Sequence, residues 1–246
     1  MQDYNGNRPF IIEGKRGPGG GSRGTMQKTG VSGRFLARLA LLLAAVIAVA
    51  CITVFKTFFT VKAEGRTYYA VCFYDGQSKS QAESVRDSLV ASGGSGYIVS
   101  GGAYRVYGGV YLSGADAENV AAKENGAVVS EIGWNSRDIS FSSYNETKIV
   151  GEALAYFTSV SDSLVKMSLD IGRGEESALA AGACAAAAEK RFSEYSVKIS
   201  DENISLFFSR AAYAAGALPS PGDVGFLSGL RYVSQDLIML RASLVA

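Results

Sequence analysis

The residues best equipped for chemistry lie close together in the stretch YRVYGGVY, Tyr104 to Tyr111. Alternation along a strand sends Tyr104, Val106 and Gly108 to one face and Arg105, Tyr107 and Gly109 to the other. Arginine supplies several N–H donors in fixed geometry, tyrosine a flat ring with a hydroxyl, and glycine lets a ligand come close to the backbone. Such a face suits a sugar chain, whose flat sides are apolar and whose edges carry hydroxyls. Cross-strand pairing of exposed aromatic and charged side chains accounts for the same pattern without a ligand.

Other chemistries find less support. The chain has no histidine, which excludes imidazole acid–base catalysis, Ser-His-Asp triads and histidine-ligated metals. Its three cysteines, Cys51, Cys72 and Cys184, have neither metal-site nor disulfide spacing, so no metal and no cofactor is expected. The carboxylate pairs Glu175-Glu176 and Asp201-Glu202 stand at predicted helix starts, where acids favour the helix dipole. Catalysis is therefore not expected of them.

The near-neutral total of +1 conceals an asymmetry: up to Arg38 there are seven basic and two acidic residues, and beyond it 17 against 21. Met1 to Gly33, glycine- and arginine-rich, predicts a disordered basic cytoplasmic tail. Then come seventeen uncharged residues, Leu39 to Phe55, followed by Lys56 and a second apolar run. If Lys56 snorkels, Leu39 to Val61 reaches the roughly 20 residues that a bilayer requires. The expectation is a transmembrane helix within 34–61, N-terminus cytoplasmic and everything after it outside the cytoplasm. The long leading segment argues against a cleaved signal peptide, and the apolar run continuing past Cys51 argues against a lipoprotein.

Residues 67–132 read as strand, helix, strand, strand, helix, strand. Thr67 to Tyr74 is rich in aromatic and β-branched residues, and Ala82, Val85 and Leu89 share a helical face. Tyr97 to Ser100, a turn at SGGA, and Tyr104 to Leu112 suggest a hairpin. A second helix around Ala117, Val120 and Ala121 and a last strand from Ala127 to Ile132 complete two matching halves. This order predicts a ferredoxin-like α+β sandwich, with one sheet face covered by two helices and the other open. The segment carries four basic and seven acidic residues, which argues against nucleic acid as a partner.

The spacing of YYAVCFY, QAESVRDSL and YIVSGGAYRVYGGVYLSGADAENVA resembles the sporulation-related repeat (SPOR) family over about Thr67 to Ile132. The resemblance implies binding to peptidoglycan glycan strands that lack stem peptides, through the open sheet face, in cell division or sporulation. Arg105, Tyr107 and Gly109 match the family's positions best; Tyr68, Ala70 and Cys72 should share that face. The first strand departs from the usual pattern at Ala70 and Cys72, where the family has a polar residue and a glycine.

After 62–66 and 133–144, both expected to be linkers, the remainder from 145 to 246 predicts a helical bundle. Ser143 with Glu146 fits a capping box, and Val150, Ala153, Phe157, Val160, Leu164, Met167 and Ile171 keep three-four spacing. Three more amphipathic helices follow, the last with Phe226, Leu230, Val233, Leu237, Leu240 and Leu244 in one stripe. The whole reads as a bacterial membrane-anchored, non-catalytic glycan-binding protein, its partners glycan strands, the lipid membrane and other envelope proteins. The alternative is an interaction scaffold of the cell envelope that meets protein and binds no glycan.

Overall fold

A computed structural model describes residues 33–124, 126–141 and 143–245. The expected basic tail, 1–33, lies outside the described residues except for Gly33. The chain divides into two units, Met1–Ala50 and Cys51–Ala246. In the first, helix α1 (Gly33–Phe58, which continues into the second) exposes Leu41, Leu42, Leu43, Val46, Ile47 and Val49.

The expected membrane span is overturned: among the described residues no helix is long and apolar enough to cross a membrane. The span required unbroken helix from Leu39 to Val61, but α1 stops at Phe58 and Thr60–Ala63 is strand β1. The uncharged part, Leu39 to Phe55, is about 25 Å long at ~1.5 Å per residue, short of the roughly 30 Å of a hydrocarbon core. The single-pass topology, with a cytoplasmic N-terminus and extracytoplasmic C-terminal domains, falls with it.

The second unit carries β2 (Arg66–Gly76), α2 (Lys79–Ala91), β3 (Tyr97–Ser100), β4 (Tyr104–Tyr111), α3 (Gly114–Ala121), β5 (Val128–Trp134) and β6 (Arg137–Ser140). Four helices follow: α4 (Tyr144–Arg173), α5 (Ala178–Lys198), α6 (Glu202–Gly216) and α7 (Phe226–Val245). One antiparallel sheet has the order β3-β4-β2-β5; a second pairs β1 with β6. That second sheet lies where the sequence predicts linkers. Thr60 to Ala63 face Ser140 to Arg137, joining the chain just before the larger sheet to the chain just after it.

Local signals set the helix ends. Ser143 Oγ accepts the Glu146 N–H at the start of α4, Ser177 does the same for Ala180 in α5, and Asp201 for Ile204 in α6. At the end of α4, Gly174 takes φ 77°, the left-handed conformation that glycine adopts without strain.

The expected fold class is corrected as well. The sequence predicts a ferredoxin-like SPOR-like domain with an open face, preceded by a membrane helix and followed by a separate bundle. The described residues form seven helices and six strands in two small sheets, in the order helix, strands, helices. From Cys51 onward they make one unit. The reason is a shared core: Tyr68, Ala70, Cys72, Tyr107, Val110 and Trp134 belong to the same buried cluster as Val150, Phe157, Leu164, Leu230 and Leu237 of the helices. The helices' apolar stripes and the sheet's second face each lack cover alone, and they cover each other. On the opposite face, Val71 and Tyr111 pack against Ala117 of α3, and Val106 against Ala82 and Leu89 of α2.

Candidate binding site

Of the six residues that the sequence assigns to a ligand face, the structure leaves one exposed. Tyr68 and Ala70 are 0% exposed, Tyr107 5% and Cys72 7%, all beneath helices of the bundle. Arg105 alone reaches solvent, at the end of β4, where its Nε donates to Asp75 Oδ2 at 2.9 Å.

Gly109 is buried on the other side of the sheet. Its backbone pairs with Val71, whereas Tyr107 pairs with Cys72, so Gly108 is an extra residue in β4. The bulge reverses the alternation: Arg105 and Tyr107 precede it on the bundle face, and Gly109 follows it on the face of Val71 and Tyr111. Gly108 itself is packed so closely against the Phe73 ring that no Cβ fits there. The sequence grouping of Arg105, Tyr107 and Gly109 therefore separates into two faces.

Helix α7 covers the sheet by means that its apolar stripe does not announce. Its Gln235, Ser234 and Arg241 are at most 1% exposed. Ser95 Oγ donates to the Tyr107 carbonyl at 2.7 Å and lies 3.0 Å from the Gln235 side-chain amide. Tyr97 donates to Asp236 at 3.0 Å and meets the Tyr232 ring at 5.0 Å, while Arg231 donates to the Gly93 carbonyl at 2.7 Å. The polar side of α7 thus faces protein rather than water.

At the far end of the same face lies a cluster of charged and aromatic side chains. Arg66 holds Asp162 of α4 with two hydrogen bonds, 3.2 and 2.6 Å, and the Tyr68 hydroxyl donates to the same carboxylate at 2.9 Å. The Tyr68 and Trp134 rings stand 5.6 Å apart; Arg66 lies 5.8 Å from the first and Arg241 5.3 Å from the second. Two cations thus flank two aromatic rings, an arrangement that ring quadrupoles favour. Trp134 Nε1 donates to the Glu64 carbonyl at 2.8 Å, fixing the indole. Burial, then the adjacent Asp162 carboxylate, pushes the Tyr68 phenol well above its ordinary value. Burial likewise lowers the Arg241 guanidinium to about 10.

This cluster borders a cleft of about 670 Å³ between the β1–β2 turn, α4 and the end of α7. Lys62, Glu64, Arg66, Thr158, Asp162 and Arg241 stand in its walls. Sequence reasoning missed it because Arg66 falls in an expected linker, Asp162 on a polar helix position, and Arg241 beside Leu240, where an arginine reads as solvated. Only the single tryptophan was an available marker, and its position gives no hint of Arg241. The carboxylate pairs serve helix ends: Glu176 accepts from the Ser177 N–H, and Asp201 caps α6.

Comparison of the chain with protein-family models, with curated proteins and with solved structures gives no match.

Proposed function

We propose that this chain is a non-catalytic binding protein that works by contact with another protein, its larger sheet serving as the floor on which its own helices are built. The observation that carries this reading is the burial of Tyr68, Ala70, Cys72 and Tyr107, which gives that sheet face to the protein's own helices. The exposed apolar run of α1, from Leu41 to Val54, adds a surface of the kind that associating proteins bury. The resemblance of residues 67–132 to the sporulation-related repeat points instead to denuded peptidoglycan glycan. That second reading keeps one favourable observation, the exposed Arg105, and requires α7 to leave the sheet.

The test uses the full chain with sacculi stripped of stem peptides. We expect the protein to stay in the supernatant, with Arg105→Ala behaving identically. Pelleting that Arg105→Ala abolishes would overturn the proposal. In parallel, a photo-crosslinker at Ile47 should give discrete protein adducts, and capture of glycan alone would count against protein contact.

A further inference from the structure

Arg241 stands in the wall of the 670 Å³ cleft while only 1% exposed, and among the described residues its Nε and Nη1 have no hydrogen-bond partner. A guanidinium buried in that way costs stability unless a negative charge meets it. The carboxylates of the cleft do not supply one. Asp162 is taken by two bonds from Arg66 and one from Tyr68, and Glu64 is exposed. Trp134 holds Arg241 through its ring face, which orients the cation and leaves its charge uncompensated.

We propose that this cleft binds a small molecule through a single carboxylate group received by Arg241. Beyond the contact function, the site gives the protein a small ligand at the junction of α4, α7 and the β1–β2 turn. A guanidinium offers two parallel N–H donors that match the two oxygens of a carboxylate. The charged walls, Lys62, Arg66 and Arg241 against Glu64 and Asp162, sum to one positive charge, so one negative charge balances them. The cleft falls within the roughly 300–1,000 Å³ of small-molecule sites. Thr158 and Ser163 donate their hydroxyl protons to Leu154 and Ser159 carbonyls, which leaves their oxygens as acceptors. A ligand body that carries hydroxyl or amine donors fits those oxygens.

The probe is gluconate, a carboxylate on a hydroxylated body, compared with chloride and inorganic phosphate at matched ionic strength on the full chain. We expect gluconate to raise the melting temperature by about 3 °C or more over chloride and to change Trp134 fluorescence saturably. Arg241→Met should lose the gluconate increment while melting, without ligand, at or above the wild-type temperature, because an uncompensated charge has been removed. Equal melting in gluconate and chloride, an increment that persists in Arg241→Met, or protection by phosphate alone would overturn the proposal. So would a fall in the variant's ligand-free melting temperature with no gluconate effect on the wild type, which assigns Arg241 to packing on Trp134. Should Arg241→Met fail to fold, the wild-type fluorescence titration still decides, since no saturable change in gluconate rejects the site.

Discussion

Tyr68, buried, and Tyr97, half-buried, each donate a hydrogen bond to a carboxylate, Asp162 and Asp236. Burial and then the nearby negative charge both oppose phenolate, so both phenols lie well above the ordinary value of 10.0. A raised phenol keeps its proton more tightly in the folded state. Its contribution is fully present below pH 10 and is lost as pH rises from there toward the folded value. Denaturant melts between pH 9 and 12 should show stability falling above pH 10, with a shallower fall in Tyr68→Phe. An unchanged slope in that variant would remove Tyr68 from the account. At Gly108 the demand is steric: Ala should destabilise the chain by about 1–3 kcal/mol, since its Cβ meets the Phe73 ring inside a packed sheet. The same substitution at Gly101, whose Cβ position has nothing within 4 Å, should cost less than about 0.5 kcal/mol in a parallel urea titration.

Helix α7 ties the fold together, because one of its sides packs into the bundle and another onto the sheet. Leu237, 0% exposed, sits in that junction, and Leu237→Ala should cost about 2–5 kcal/mol by chemical denaturation. Gln235 predicts the opposite sign. In either orientation of its amide one polar atom is buried without a partner among the described residues, so Gln235→Leu should be neutral or slightly stabilising, provided that Ser95 keeps its bond to the Tyr107 carbonyl. These elements also show where sequence reading succeeds and where it stops. Ser143, Asp201 and Gly174 announce their helix ends through side-chain and backbone chemistry that acts within a few residues. The strands TVKA and RDIS do not, because four residues carry no periodicity and their stability comes from a partner about eighty positions away. Gly108 hides the bulge for a related reason: strict alternation is the simplest reading of YRVYGGVY, and only pairing with β2 reveals the extra residue. Arg105, Tyr107 and Gly109 were legible as unusual, but whether the Tyr107 face meets water depends on α7, more than a hundred residues later.

The sheet and the bundle share one buried cluster, so the unit from Cys51 should unfold in one step rather than as separate sheet and helix domains. Trp134 is the sole tryptophan and lies at their junction, whereas helical ellipticity reports mainly on α4 to α7. Urea transitions followed by tryptophan fluorescence and by far-ultraviolet dichroism should coincide in the full chain. Separated midpoints would mean that the sheet stands alone and that its bundle face is accessible without global unfolding. The place of α7 in the chain also has a kinetic consequence. Synthesis delivers the sheet and α4 before α7, so a ribosome that has passed Asp223 but not Val245 carries a folding intermediate whose Tyr97 and Tyr107 side still lacks its α7 cover. Chaperone occupancy of arrested nascent chains should therefore persist through α6 and drop only when α7 has left the exit tunnel. A drop before that length would show that the sheet protects itself while translation is still under way.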